Sequence, residues 1–199
     1  MSTTLFKRLG KQLVNAVVVV AHPDDETLWC GGIIAHFNRH TDWTVIACSI
    51  PLRDPIRAYK FFEACEALGA RGRILPWQEG GKDAPLSPIL KNLPDLSAYD
   101  MILTHGAAGE YGHQHHIEVH DTIKRLYPER MLAVGYRLNG AKGESVLRLS
   151  EHDKERKLRA LQCYDHPTGL HSRGNQPTWE ALLEEFGSQF DLDCETFDE

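Results

Sequence analysis

The sequence lacks any apolar run long enough to cross a bilayer, which takes about 20 residues. Its most continuous apolar segment, residues 16–21, is rich in valine but short. Lys7, Arg8 and Lys11 precede it and give the beginning of the chain a superficial likeness to a secretory leader. Cleavage after Ala21 would remove a strand that runs directly into a polar motif. We therefore interpret this segment as a first β-strand and predict no membrane insertion.

The chain also lacks an excess of positive charge. Its 22 Lys and Arg residues are outnumbered by 28 Asp and Glu residues, which gives a formal net charge of -6. Nucleic-acid-binding domains concentrate basic residues on one face, whereas these are scattered, so we expect no nucleic-acid partner. A hydrophobic content of 42% with 25% charged residues argues against a disordered chain.

Paired cysteine motifs are absent as well. The five cysteines form no CxxC pair and follow the spacing of neither a disulfide framework nor a zinc ribbon. Cys48 and Cys65 fall within apolar runs, which is typical of small core residues. This use of cysteine favours a reducing compartment, and we predict a cytoplasmic location.

What the sequence does contain is an alternation of short apolar runs with helical patterns. We predict strands at 16–21, 44–49, 73–75, 99–104, 131–135 and 145–149, and helices at 28–38, 58–68, 115–127, 152–164 and 179–190. This order predicts a single α/β domain over residues 1–199, with a doubly wound, mostly parallel, Rossmann-like sheet flanked by helices. Ligands of such sheets bind beyond the carboxyl ends of the strands, which points to the loops after Ala21 and Thr104.

The loop after Ala21 is His22-Pro23-Asp24-Asp25-Glu26. One interpretation is a helix start, because proline suits the first turn and carboxylates suit the positive end of the helix dipole. The other is half of a metal site, because a turn through Pro23 can bring His22 and Asp25 together, and zinc binds imidazole and carboxylate. The spacing alone leaves both interpretations open.

The histidine content favours the metal interpretation. Four of the eleven histidines fall close together, at His113, His115, His116 and His120. Such rings are difficult to bury as neutral core residues, because each needs a donor and an acceptor partner, although a solvated cluster is an alternative. Together with His22 and Asp25, one of them could complete a three-ligand site with an open position, which is typical of catalytic zinc. Asp24 would then be available as a base.

Three further residues have candidate roles. His120 lies one helical turn after His116 and could compete with it as a ligand. His105, at the end of the predicted strand 99–104, could support a ligand through a hydrogen bond. Arg53, in the loop after the second strand, could bind an anionic group of a substrate, and a solvated charge is the alternative.

Two motifs in these loops resemble those of a known family. AHPDDE after a hydrophobic strand, followed later by YGHxxH before a helix, resembles the LmbE-like, PIG-L-type zinc-dependent N-acetylglucosaminyl deacetylases. The resemblance is strongest over residues 14–165. It includes RAYKFFEACEALG at 57–69 and a late segment with Lys157, Ala160-Leu161 and Tyr164.

The resemblance implies a role for each residue that matches. The zinc ligands would be His22, Asp25 and His116, and another divalent metal such as Fe2+ could replace zinc. Catalysis would rest on Asp24 as the general base, on His113 as a donor to the oxyanion in its imidazolium form, and on Tyr111 as a contact of the substrate carbonyl. Arg57 would hold the substrate.

The resemblance also implies a reaction, which is removal of the acetyl group from the nitrogen of an N-acetylglucosamine-type amino-sugar conjugate. The sequence departs from the pattern in three places, namely Gln114-His115 for Pro-Asp, Lys60 for Glu, and Asp165-His166 for Ser-Gln. The first departure removes a carboxylate next to the metal site. A zinc amidase or esterase on a non-sugar acyl compound and a non-catalytic metal-binding module are therefore the alternatives. The expected partner is a small amino-sugar substrate, and a homo-oligomer is compatible with the sequence.

Overall fold

The computed structural model describes residues 14–50, 56–76, 84–136, 143–164 and 192–198 of the chain. In these segments, seven strands form one sheet in the order β3-β2-β1-β4-β5-β7-β6. The strands are β1 (Val14–Val20), β2 (Thr41–Ala47), β3 (Arg71–Ile74), β4 (Met101–Thr104), β5 (Met131–Val134), β6 (Ser145–Arg148) and β7 (Cys194–Asp198). The first five are parallel, which confirms the predicted doubly wound α/β sheet.

Helices cover both faces of this sheet. They are α1 (Asp25–Phe37), α2 (Ile56–Leu68), α3 (Ser87–Leu90), α4 (Gly109–Gly112), α5 (Gln114–Leu126) and α6 (Glu151–Gln162), and a short 3-10 turn, Pro128–Arg130, precedes β5. Helices α1, α2 and α6 pack on one face, and α5 packs on the other. No helix among the described residues is both long and apolar enough to cross a membrane.

The valine-rich strand β1 lies at the centre of the sheet, between β2 and β4. Because successive side chains of a strand point to opposite faces, Val18 and Val20 enter the core under α1, while Val17 and Val19 enter the core under α5. All four are buried, which explains why this strand is continuously apolar rather than alternating.

The sequence predicts no strand after 145–149 and a helix as the last element, and the strand at the end of the described chain shows that this expectation is wrong. The described chain ends in strand β7, which lies antiparallel between β5 and β6, and the predicted helix 179–190 lies outside the described residues. Phe197 of β7 is buried in the core, but Glu195 of the same strand is buried too. A hydrophobicity pattern does not predict a buried strand from so short a run that contains a glutamate. The burial of Glu195 depends on partners far away in the sequence.

Those partners lie on two helices, where Glu195 forms a buried ion pair with α6 and hydrogen bonds to the backbone of α1. Glu195 accepts hydrogen bonds from the backbone N–H groups of Gly32 (2.6 Å) and Ile33 (2.8 Å) in α1 and from Lys157 Nζ (2.6 Å) in α6. A Cβ at Gly32 would lie 2.5 Å from the Leu149 side chain and 2.8 Å from the Glu195 carboxyl carbon, so glycine is required there. Glu195 therefore connects β7 both to α6 and to α1, the helix that follows the first candidate loop.

We expect Lys157→Met to lower the free energy of unfolding by about 3–5 kcal/mol, because it leaves Glu195 buried without its counter-ion. Urea unfolding measures the change. Lys154→Met is the matched control on the same helix, since Lys154 pairs with Glu151 and Asp193 at the surface. Equal losses in the two variants would contradict a stabilising role for the buried pair.

Candidate metal centre

The candidate centre lies where the two central parallel strands end. Strands β1 and β4 pair in register, with Val19 opposite Thr104. The chain leaves β1 towards α1 on one face and leaves β4 towards α5 on the other, which is the topological switch point of a doubly wound sheet. This divergence opens a crevice between the loop beginning at His22 and the segment from His105 to His116. The two candidate loops therefore meet as predicted.

The three residues predicted as metal ligands converge on one carboxylate oxygen. Asp25 Oδ2 lies 3.1 Å from His22 Nδ1 and 3.3 Å from His116 Nε2, and all three side chains are buried. Ligand atoms bound to one tetrahedral zinc ion are separated by about 3.3 Å. His116 Nε2 is buried without a hydrogen-bond partner among the described residues. An imidazole nitrogen held in this way suits a metal, so these residues fit a bound cation.

The hydrogen bonds of His22 support the same conclusion. His115 Nε2 lies 2.8 Å from the carbonyl oxygen of Ala84, so it donates, and His115 Nδ1 must accept the contact from His22 Nε2 at 2.9 Å. The remaining His22 nitrogen, Nδ1, then turns a lone pair towards Asp25 Oδ2. Two facing lone pairs repel each other unless a cation, either a proton or a metal ion, lies between them. His115, which replaces a family carboxylate, thus positions a predicted ligand.

Neighbouring histidines extend the cluster without all being suitable ligands. Within the described residues, two groups of three side chains bring their ligand atoms within 4.8 Å, namely His22/His113/His116 and Asp25/His105/His116. Both nitrogens of His105 are engaged, because Nε2 accepts from Ala21 N–H (2.9 Å) and Nδ1 donates to Glu110 (3.0 Å). His120 belongs to neither group, and its Nδ1 contacts the carbonyl oxygen of His105 at 2.8 Å. His105 and His120 are therefore supports of the loop.

His113 lies at the N-cap of α5, beside His116. Its Nδ1 accepts the backbone N–H of His115 at 3.2 Å, so a neutral ring carries its proton on Nε2. Burial, followed by repulsion from His116, lowers the pKa of His113 to about 4. The ring is therefore neutral near pH 7, rather than the imidazolium expected from the resemblance. Tyr111 is 49% exposed and places its ring edge-on to His113 and His116, at centroid distances of 5.7 and 5.5 Å.

The electrostatics of the centre favour one positive charge. Burial lowers the pKa of His22 to about 3. Burial also opposes charge on His116, but the carboxylates of Asp25 and Glu110 outweigh it and raise the pKa of His116 to about 9. The charge on His116 in turn holds the pKa of Asp25 well below its usual range, against the effect of burial. In the metal-free protein, a proton on His116 therefore supplies the positive charge between the carboxylates of Asp25 and Glu110. A bound metal ion could supply this charge instead.

Asp24, the predicted base, is held in a strained conformation next to these residues. Its φ of 113° is unusual for a residue other than glycine. Its backbone N–H donates to Glu26 Oε2 (2.9 Å), and its carboxylate forms a buried ion pair with the guanidinium of Arg57. The other Glu26 oxygen accepts from the hydroxyls of Thr27 and Tyr164, each at 2.6 Å. The last motif residue and the late tyrosine therefore hold Asp24 in place.

The structure places the remaining predicted residues as follows. Arg57, predicted to bind substrate, is 2% exposed and faces Asp24. Arg53 and Asp165-His166 lie outside the described residues. Lys60, which replaces a family glutamate, donates to the carbonyl oxygen of Cys163 just after α6 (2.9 Å). Sequence reasoning missed Glu110, although a carboxylate three residues before a predicted histidine donor was a usable signal.

Fold and centre together define an α/β domain with a buried His/carboxylate cluster that is a candidate metal site, and with a further carboxylate, Asp24, beside it. The chain belongs to the PIG-L family: the family model described as GlcNAc-PI de-N-acetylase matches residues 17–127. A 1D-myo-inositol 2-acetamido-2-deoxy-alpha-D-glucopyranoside deacetylase of Corynebacterium diphtheriae is 28% identical over 146 residues, which cover 54% of this chain and 50% of that protein. The chain thus spans about half the length of the curated relatives it matches.

Solved structures show the same fold at lower identity. An N,N'-diacetylchitobiose deacetylase from Pyrococcus horikoshii superposes with a TM-score of 0.60 at 15% identity, covering 97% of this chain and 88% of that one. The 4-carboxy-2-hydroxymuconate hydratase GalB from Pseudomonas putida gives the same TM-score and identity, covering 92% and 95%. Because these neighbours are a deacetylase and a hydratase, the fold alone does not decide the reaction.

We expect the parent protein to bind about one zinc ion per chain, and we expect His22→Ala and His116→Ala to lose most of it, because each removes one of three ligands. Metal content after dialysis, measured by mass spectrometry, gives the result. His152→Ala is the matched control, since His152 is exposed on α6. Full zinc retention by both ligand variants would contradict the assigned centre.

Zinc binding should release about one proton per chain at pH 7.5. The pKa of His116 is about 9 in the metal-free protein, so the ring is protonated below that pH and must lose a proton to bind metal. Zinc affinity should accordingly rise with pH, by about tenfold per unit up to pH 9. Calorimetric titration in buffers of different ionisation enthalpy counts the protons, and an affinity independent of pH between 6 and 8.5 would contradict this protonation state.

Proposed function

We propose that the protein is a zinc-dependent N-deacetylase that removes the acetyl group from an N-acetylglucosamine-type amino-sugar conjugate. The observation that carries the proposal is the combination of a three-ligand His/Asp centre with an adjacent buried carboxylate, Asp24, that the centre does not need as a ligand. Family membership and the printed names of the relatives support both the amide bond and the amino sugar.

A zinc ion held by His22, Asp25 and His116 would lower the pKa of water towards 7 and polarise the acetyl carbonyl, which is chemistry that the side chains lack. Asp24 accepts the proton of the water that attacks the acetyl carbon. Its ion pair with Arg57 orients the carboxylate, which gives Arg57 a role on Asp24 beside the predicted contact with substrate. The positive φ of Asp24 is consistent with strain held at a working site.

Stabilisation of the oxyanion falls to donors on the α5 side of the crevice. His113 can donate from Nε2 as a neutral ring, since its Nδ1 accepts the N-cap hydrogen bond. The Tyr111 hydroxyl is the second candidate donor, on a half-exposed ring beside His113 and His116. The departing amine then takes a proton from Asp24 or from His113. Tyr111 is the half-exposed member of this group, so a substrate can reach it from solvent.

The choice of zinc rests on the donor set. Two imidazoles and one carboxylate suit zinc, and they also suit Fe2+ or Co2+. The five cysteines are free, which supports a reducing, cytoplasmic setting. We retain a small amino-sugar substrate as the partner, with no nucleic acid and no membrane insertion, and the possibility of a homo-oligomer is tested by its solution mass.

Two alternatives make different predictions. A zinc amidase or esterase would cleave N-acyl or O-acyl compounds that carry no sugar, and the departures at Lys60 and Gln114-His115 motivate it. A non-catalytic module would bind metal but release no acetate. Asp24 weighs against the module, because a binding site gains nothing from a strained carboxylate paired beside its ligands.

We expect Asp24→Asn to reduce acetate release from N-acetylglucosamine conjugates by about 100- to 10,000-fold, because the amide cannot accept the proton of water. Zinc content should stay at the parental level. Asp121→Asn, at an exposed position of α5, serves as the control and should retain activity. Parental activity in Asp24→Asn would refute this mechanism. Acetate release from sugar-free substrates alone would support the amidase alternative, and metal binding without turnover would support the module.

A further inference from the structure

Glu110 is a buried carboxylate that none of the predicted roles uses. It lies in the short α4 turn between β4 and α5, and it is fully buried. Its φ of 56° is unusual for a residue with a side chain, and the flanking Gly109 and Gly112 also have positive φ values of 63° and 86°. Such a conformation persists only where the surroundings impose it. The turn therefore folds so that this one side chain points inward.

The inward carboxylate accepts three hydrogen bonds from around the centre. Glu110 Oε2 lies 2.5 Å from His116 Nδ1 and 3.0 Å from His105 Nδ1, and Oε1 accepts the Gly106 backbone N–H at 2.8 Å. The direction of the His105 contact is settled by its other nitrogen, which accepts the Ala21 N–H. A carboxylate has no proton to offer, so His116 Nδ1 donates as well.

This arrangement decides which nitrogen of His116 faces the centre. With Nδ1–H donated to Glu110, the nitrogen left to face the centre is Nε2, the buried atom that has no hydrogen-bond partner among the described residues and lies 3.3 Å from Asp25 Oδ2. When the ring gives up a proton to bind metal, the lone pair is therefore on Nε2. His105 stacks on the His116 ring at a centroid distance of 3.8 Å and an interplanar angle of 15°. Because His105 is held by Glu110 too, one carboxylate controls both the tautomer and the tilt of the ring.

We propose that Glu110 is a positioning residue that presents His116 Nε2 to the metal, so that removing its charge weakens metal binding without disturbing the fold. The inference rests on the metal centre of the proposed function, but not on its substrate. Position 115 carries a histidine, which contacts His22, where the family pattern has an aspartate. In this proposal Glu110 supplies a carboxylate beside the metal ligands that position 115 lacks.

Glu110→Gln is a suitable probe because an amide cannot reproduce the carboxylate here. If its oxygen faces the two imidazoles, its NH2 group faces the Gly106 N–H, and two donors oppose each other. If the amide is turned, its NH2 group opposes the N–H groups of His105 and His116. In both orientations His116 loses part of its restraint, while the volume of the side chain stays the same.

The experiment compares the zinc affinity of the parent, Glu110→Gln and Glu118→Gln by competition with a chromophoric chelator. Glu118 is a partly exposed carboxylate on α5, so its variant is the matched control. We expect an affinity loss of about 10- to 100-fold for Glu110→Gln alone. The metal-free forms should unfold at similar temperatures, and the visible spectrum of bound Co2+ should change. An affinity within about twofold of the parent would overturn the proposal.

A second measurement needs no variant and covers the case in which Glu110→Gln fails to fold. Nitrogen-15 NMR of the zinc-loaded parent should show a proton on His116 Nδ1 and metal on Nε2, and metal on Nδ1 would overturn the proposal. Acetate release is scored separately. If Glu110→Gln loses zinc affinity while the zinc-loaded parent releases no acetate, the proposed deacetylase activity is wrong and the role of Glu110 is supported.

Discussion

The register between β1 and β4 is the constraint on which the rest of the structure depends. These strands lie side by side at the centre of the sheet, yet their chains leave to opposite faces, so their ends open a crevice lined from both sides. The hydrogen bond from Ala21 N–H to His105 Nε2 closes this junction at the base of the crevice. A slip of one residue would turn His22 and His105 away from each other and dismantle the centre.

Burying a centre of this kind opposes folding, so its stability depends on contacts elsewhere in the domain. It buries the carboxylates of Asp24, Asp25 and Glu110 together with several imidazoles, each of which loses hydration. Asp24 and Glu110 both carry a positive φ, which is unusual for residues with a side chain. The burial of the apolar cores on the two faces of the sheet offsets the free-energy cost of this backbone strain. Glu195, paired with Lys157, accepts two backbone N–H groups of α1 and so helps to hold the helix that begins at Asp25.

The fold and the reaction are separate questions for this family. A hydratase and a deacetylase share the architecture at similar TM-scores, and both kinds of chemistry add the elements of water to a substrate. In the proposed deacetylase, the metal centre and the adjacent Asp24 would serve such a step. Selection of the proposed substrate would then fall to other groups, and Tyr111, which is half exposed beside the centre, is one candidate.

The sequence by itself determined the features that depend on neighbouring residues. Periodicity and local charge were enough to predict the valine-rich strand and the strand–helix alternation. They also placed His22-Pro23-Asp24-Asp25-Glu26 at a strand end. Only the tertiary structure decided the antiparallel strand β7, the burial of Arg57 against Asp24, and the part played by Glu110. These features depend on partners distant in the chain or on the direction of a hydrogen bond. Three-dimensional packing sets both, and no local pattern records them.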